Sequence, residues 1–248
     1  MGHRLIAFSG ADPDLEVVAA VDSPTYPHIG EDAGTLAGVR PIGVLITPGF
    51  ERKSDVVIDF STPKALDTLL DYCLEQKTPL VYATTGITPE QEKRLHDAAK
   101  HIPLLWSPSM SMTVILAMRL AKTAAKLLKD KDADVEIIEH HHRYKADAPS
   151  GTALKFGEII ADEMGITNFV HGREGKCGAR PHGEIGYHAV RIGDNPGQHT
   201  ILFGLLGETL EITVKASNRD SYAAGALAAA KFLVGKQPGL YNMNDVLG

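Results

Sequence analysis

Residues Val135 to Ala153 read VEIIEHHHRYKADAPSGTA. An apolar run, Val135, Ile137 and Ile138, leads into three histidines, an arginine, a tyrosine and a lysine. Asp147, Ala148 and Pro149 make a stiff bend. Ser150, Gly151 and Thr152 then open a segment with helical spacing at Ala153, Phe156, Ile160 and Met164. A strand ending in titratable side chains and running into a helix start sets acid/base groups beside an anion site. First-turn N–H groups have no acceptor inside the helix, and they favour carboxylate or phosphate.

Upstream the pattern is regular. Met1 to Ser9 is apolar on one side and reads as a helix or a frayed start. Leu15 to Val21 is a continuous apolar run ending at Asp22, as in a buried parallel strand. Asp22 has two readings: a turn cap before Ser23, or the ribose-binding acid of a dinucleotide fold. Tyr26 to Gly43 reads as loop and Val44 to Thr47 as a minor strand. Strand Val56 to Phe60, helix Lys64 to Gln76, strand Leu80 to Ala83 and a helix running to about Lys100 follow. That last helix opens on a capping box at Thr88 to Gln91, with Pro89 at its first position. Strand Pro103 to Trp106 and a long helix Ser109 to Lys129, apolar at Met112, Leu116, Leu120 and Leu127, complete the series. Alternating strand and helix means a parallel sheet wrapped by helices, with ligands past the carboxyl ends of the strands.

Downstream the pattern changes. A Gly-rich stretch, Gly165 to Gly183, carries Arg173, Lys176 and Arg180. Strands Glu184 to Ile192 and His199 to Leu206, a Gly207-Glu208 turn and strand Thr209 to Ala216 follow. Leu210, Ile212 and Val214 alternate with polar residues, so one face of that strand is buried. Helix Arg219 to Val234 is Ala-rich and suits packing back on the first domain. An open sheet of this kind commonly finds a partner.

The chain's 248 residues, 44% hydrophobic, provide for one large domain or two smaller ones. A net charge of −6 argues against non-specific nucleic-acid binding. No apolar run approaches the roughly 18 residues of a membrane span. Cys73 and Cys177 stand alone, which fits a reducing cytoplasm. Neither is placed as a nucleophile, which argues against cysteine-dependent dehydrogenases. The histidine run has three readings. Adjacent strand residues point to opposite faces, so consecutive histidines rarely share one metal ion, and no other spacing completes a zinc set. A solvated loop explains the charge but not the helix start beside it. An acid/base site with an anion clamp explains both.

The segment Glu139, His141, His142, Arg143, Lys145, Asp147, Pro149, Ser150, Gly151, Thr152, Ala153 resembles the signature of the dihydrodipicolinate reductase family. The resemblance extends through Asp59-Phe60, Thr84-Thr85-Gly86, the loop from Arg173 to Arg180, Gly197-x-His199-Thr200 and Gly239-Leu240-Tyr241. It implies reduction of 4-hydroxy-tetrahydrodipicolinate by NADH or NADPH, on the diaminopimelate route to lysine. It implies His141 as general acid/base, Lys145 as second proton donor, His142 as a substrate contact, and Gly151 and Thr152 as N–H donors to a ring carboxylate. Asp22 would hold the adenosine ribose, Ala83, Thr84 and Thr85 the nicotinamide side, and Ser107, Pro108, Ser109 and Met110 a further part of the cofactor. Ala83 stands where the family has glycine. Ser23 stands where the family often has a basic residue for the NADP phosphate, so NADH is expected to serve at least as well as NADPH.

The expected architecture is α/β. A Rossmann-like parallel-sheet nucleotide domain spans 1–107 and 217–248. An α+β substrate and oligomerisation domain with an open mixed sheet spans 108–216, and the resemblance implies a homotetramer built through that sheet. Met1-Gly2 aligns with the end of the family's G-x-x-G-R-M-G phosphate loop, so the first strand and most of that loop are expected to be missing. Met1 then reads as an internal methionine of a longer frame, and the chain as written would bind nicotinamide cofactor poorly. The competing expectation is a shortened, non-catalytic relative that keeps only the dicarboxylate pocket.

Overall fold

A computed structural model describes residues 1–248. The chain forms two compact units, Met1–Ser111 with Asp220–Gly248, and Met112–Arg219, dividing a few residues later than the expected 107/108 and 216/217. In chain order the elements are α1 (Gly2–Ser9), β1 (Ala20–Val21), α2 (Ala33–Leu36), β2 (Ile46–Thr47), β3 (Val57–Asp59), α3 (Leu66–Gln76), β4 (Leu80–Tyr82), α4 (Pro89–Ala98) and β5 (Pro103–Trp106). The second unit holds α5 (Met112–Leu128), β6 (Asp134–His141), α6 (Gly151–Met164), β7 (Asn168–His171), β8 (Glu184–Arg191), β9 (Gln198–Leu205) and β10 (Glu208–Lys215). The chain returns to the first unit with α7 (Asp220–Leu233), β11 (Gly239–Tyr241) and α8 (Met243–Leu247).

In the first unit a parallel sheet runs β11-β5-β4-β3, and β1-β2 forms a separate parallel pair. Leu80, Val81, Tyr82, Leu104 and Leu105 are fully buried, which is why β4 and β5 read as unbroken apolar runs. The Thr88 capping box is present, with Gln91 N–H donating to Thr88 Oγ1 and Thr88 N–H donating to Gln91 Oε1. The expected buried strand Leu15 to Val21 is corrected: only Ala20 and Val21 pair, and both keep solvent access. Its single strand neighbour is β2. The expected loop Tyr26 to Gly43 contains α2, whose start is capped by Asp32 accepting from Thr35 N–H at 2.9 Å. Helix α7 packs on α1 and on β3, β4 and β5. Gly225 lets α7 approach the backbone of the segment after β5, since a Cβ there would sit 1.7 Å from the Met110 carbonyl oxygen.

In the second unit a mixed sheet runs β10-β9-β6-β8-β7, with β6 at its centre, parallel to β8 and antiparallel to β9. Helix α6 lies against β6 and β8, and α5 lies against α6 and β10. The apolar stripe expected on α5 is corrected. Leu116, Leu120 and Leu127 are exposed, and Ile115, Ala117, Met118, Ala121 and Ala125 are the buried face. Alanine on that face lets α5 and α6 pack closely. The Gly-rich stretch Gly165 to Gly183 holds β7 as an edge strand. The expected Gly207-Glu208 turn falls one residue earlier, at Leu206-Gly207, with Gly207 at φ +88°.

Candidate active site

Strand β6 alternates: Val135, Ile137, Glu139 and His141 are buried, while Glu136, Ile138 and His140 are only partly so. Of the consecutive histidines on β6, His141 therefore faces inward with Glu139, on the side where α6 packs. His141 Nδ1 lies 2.6 Å from Glu139 Oε2. The Arg191 guanidinium, from β8, grips the same carboxylate with two bonds of 2.7 and 2.8 Å. Ser150 N–H donates to Glu139 Oε1 at 3.0 Å. Burial alone would raise the Glu139 carboxyl, but Arg191 and His141 outweigh it and hold the group below the usual range. Burial pushes the His141 imidazole down despite its bond to Glu139.

The start of α6 sits beside this pair. Ser150 is its N-cap, with Oγ accepting from Ala153 N–H at 3.2 Å. Leu154 N–H is taken by the Ser150 carbonyl. The N–H groups of Gly151 and Thr152 open the helix with no acceptor within it. Ser150 Oγ also meets His199 Nε2 at 3.0 Å, and the His199 ring stands edge-on to His141 at 5.3 Å between centroids. Burial, then the neighbouring His141, pushes His199 down to about 4, so it is a neutral residue at neutral pH. The buried Nδ1 of His142 has no hydrogen-bond partner. Lys145 is held by Asp147, Nζ to Oδ1 at 2.7 Å. The sequence places Glu139, Ser150 and His199 in motifs without assigning them work, and gives no signal for Arg191, which joins Glu139 across 52 residues.

The expected cofactor residues all lie in the first unit. Asp22 is exposed at the carboxyl end of β1, its Oδ1 accepting from Ser23 N–H at 2.7 Å. Asp59, buried at the end of β3, takes the Ser61 and Thr84 hydroxyls at 2.5 and 2.6 Å. The Thr84 hydroxyl is therefore committed, and Ala83, Thr84 and Thr85 offer chiefly backbone past the end of β4. Ser107 follows β5, and its buried hydroxyl has no partner in the protein. Ser109 Oγ accepts from Ser111 N–H at 3.1 Å, and Met110 is buried. An acid past one strand, open backbone past another and an orphaned hydroxyl past a third fit a nicotinamide dinucleotide.

Two family models match in tandem: dihydrodipicolinate reductase, N-terminus, over residues 1–110, and dihydrodipicolinate reductase, C-terminus, over residues 113–247. The chain belongs to the dihydrodipicolinate reductase family. It is 53% identical to 4-hydroxy-tetrahydrodipicolinate reductase of Rhodopirellula baltica, over 100% of this chain and 92% of that one. The enzyme of the same name from Alkalilimnicola ehrlichii is 45% identical over 100% of this chain and 95% of that one. Among solved structures, dipicolinate-bound dihydrodipicolinate reductase from Paenisporosarcina superposes with a TM-score of 0.78 at 26% identity, covering 98% of this chain and 94% of that one. An amine dehydrogenase from Mycobacterium smegmatis, at TM-score 0.60 and 12% identity over 98% of this chain and 92% of that one, shares the fold. The dihydrodipicolinate reductases are NAD(P)H-dependent oxidoreductases of lysine and diaminopimelate biosynthesis.

Within this reductase the basic loop from Arg173 to Arg180 has internal work. Arg173 donates to Glu136 and Glu184 at 2.8 and 2.5 Å. Arg180 binds Glu136, Asp134 and the carbonyls of Val135 and Glu184. His188 adds a bond of 2.7 Å to Glu136. Burial opposes ionisation of Glu136, yet Arg173, His188 and Arg180 together pull it down to about 2. Gly186 leaves the space for this carboxylate, since a Cβ there would sit 1.8 Å from Glu136 Oε2. No helix is long and apolar enough to cross a membrane.

Proposed function

We propose that this chain reduces 4-hydroxy-tetrahydrodipicolinate to tetrahydrodipicolinate, the reaction of its family, with His141 as the acid/base group. The observation that carries the proposal is the pairing of His141 with Glu139 at the start of α6, where Ser150 N–H donates to the same carboxylate and the N–H groups of Gly151 and Thr152 follow. The substrate is a cyclic dicarboxylate. One carboxylate fits the α6 N–H pair, where backbone dipoles favour an anion. His142 meets the ring from its free nitrogen. Loss of the 4-hydroxyl as water leaves a conjugated imine, and a reduced nicotinamide, when bound, would supply the hydride to its conjugated position. His141 delivers a proton from Nε2 to the neighbouring carbon, and Lys145, released from Asp147, is the second proton donor. A dianionic substrate favours the protonated imidazole, opposing the burial that lowers its proton affinity.

On the cofactor side, Asp22 receives the adenosine ribose. Ala83, Thr84 and Thr85 present backbone to the nicotinamide side, and Ser107, Pro108, Ser109 and Met110 complete the contact. Ser23 offers no positive charge for a 2′-phosphate, which supports NADH serving at least as well as NADPH. The open face of the second unit's sheet supports assembly as a homotetramer, and the cytoplasm is the compartment of such an enzyme.

The test is loss of reduced-nicotinamide absorbance when the purified chain meets 4-hydroxy-tetrahydrodipicolinate, run with NADH and with NADPH. Substrate-dependent oxidation is expected with both, with NADH at least as efficient. Binding of dipicolinate without any turnover would reject the proposal in favour of a non-catalytic dicarboxylate-binding relative.

A further inference from the structure

We propose that Glu139 and Arg191 are positioning residues for His141, and that Arg191 ties the imidazole and the start of α6 into one aligned piece. The inference rests on the acid/base reading of His141. Glu139 receives four donors: two from Arg191, one from Ser150 N–H and one from His141 Nδ1. A carboxylate so held can only accept. It therefore keeps a proton on Nδ1 and leaves Nε2 as the atom that exchanges one.

Nε2 points at backbone that leaves it room. Gly197 has φ +148°, and a Cβ there would lie 3.1 Å from Nε2. The charged and titratable groups facing the ring are Glu139 on its own strand, Arg191 from β8, His199 from β9 and Lys145 from the segment after β6. Glu139 is the only one of these that accepts from Nδ1. Arg191 has a second grip. Its Nη2 donates to Glu139 Oε1 at 2.7 Å and to the Asp147 carbonyl at 2.6 Å. Asp147 belongs to the bend that leads into Ser150, so one guanidinium fixes both the imidazole and the place where the Gly151 and Thr152 N–H groups begin. A buried ion pair is weak support for stability by itself. This one is placed where its geometry serves alignment.

Glu139→Gln tests the assignment. Ser150 N–H and Arg191 Nη2 hold the amide oxygen on their side, so the NH2 donor faces Nδ1 and a neutral imidazole carries its proton on the wrong nitrogen. Turnover should fall by about 10²-fold or more. The alkaline limb of the kcat profile should move to lower pH, because the imidazole loses the carboxylate that raises its proton affinity. Cofactor affinity should hold, and Glu139→Gln should cost nothing further in a His141→Ala background. Arg191→Lys keeps the charge and loses the fork. It should lower kcat and raise substrate KM, and it carries the test if Glu139→Gln fails to fold. Lower thermal stability with kcat and the pH limb in place, in whichever variant folds, would overturn the positioning role. If His141→Ala itself turns over normally, the acid/base reading falls first. If His141→Ala is inactive and both positioning variants keep the unaltered profile, the positioning role alone falls.

Discussion

His141 is one of three consecutive histidines, and its surroundings alone set it apart. The period of two in β6 sends it inward beside Glu139 and sends His140 to the other face. That much was legible, since strand periodicity predicts it. The Glu139–Arg191 fork was not, because its partners lie on different strands and no local pattern joins them. The proposed carboxylate site is also testable at a single residue. Gly151 is the first residue of α6, a Cβ there meets nothing, and Ser150 already has φ −66° and ψ 152°. Proline fits that position and the residue before it, and removes one N–H donor. Gly151→Pro should leave thermal stability intact and weaken dipicolinate binding by roughly tenfold, the worth of a charge-assisted hydrogen bond of about 1.5 kcal/mol. Calorimetric titration checks it, and an unchanged affinity would remove Gly151 from the anion site.

Elements were legible where local chemistry decides them. The capping box at Thr88 and the buried run Pro103 to Trp106 follow from neighbouring residues, whereas the alternation expected in β10 holds only at Ile212 and Val214, and Leu210 is exposed. Elements set by tertiary context were not. β7 and β11 are short edge strands with no buried residue, and the leucines of α5 face outward because its alanines are needed against α6. The run Leu15 to Val21 has the composition of a core strand but a neighbour on one side only, so most of it never pairs. Packing of α7 gives a prediction at this scale. Gly225→Ala forces a methyl to 1.7 Å from the Met110 carbonyl, which belongs to backbone and cannot swing aside. A loss of about 1–3 kcal/mol of stability is expected for such overpacking. Because Met110 lies in the proposed cofactor segment, nicotinamide affinity should fall with it. Thermal melts and cofactor titration of the variant decide the point, and wild-type values in both would contradict the packing described.

For the whole molecule, the chain forms two compact units that divide at Ser111–Met112 and Arg219–Asp220. Its response to acid follows from two groups of the second unit, the buried His199 and the half-buried Glu136. His199 is pushed down from 6.5 to about 4, so its contribution is present above pH 6.5 and is lost as pH falls through 4. Glu136 is pulled from 4.5 to about 2, so its contribution is present above pH 4.5 and is lost as pH falls through 2. Stability should therefore decline on acidification in two stages. His199→Gln should remove the upper one, as urea melts across that range would register, whereas an identical decline in the variant would exclude His199 as its source. Turnover of His141→Ala beside the unaltered chain bears most directly on the chemistry. With 4-hydroxy-tetrahydrodipicolinate and reduced nicotinamide, kcat should fall by roughly 10²–10⁴-fold while cofactor affinity stays the same. Near-normal kcat in His141→Ala would contradict proton delivery from this residue.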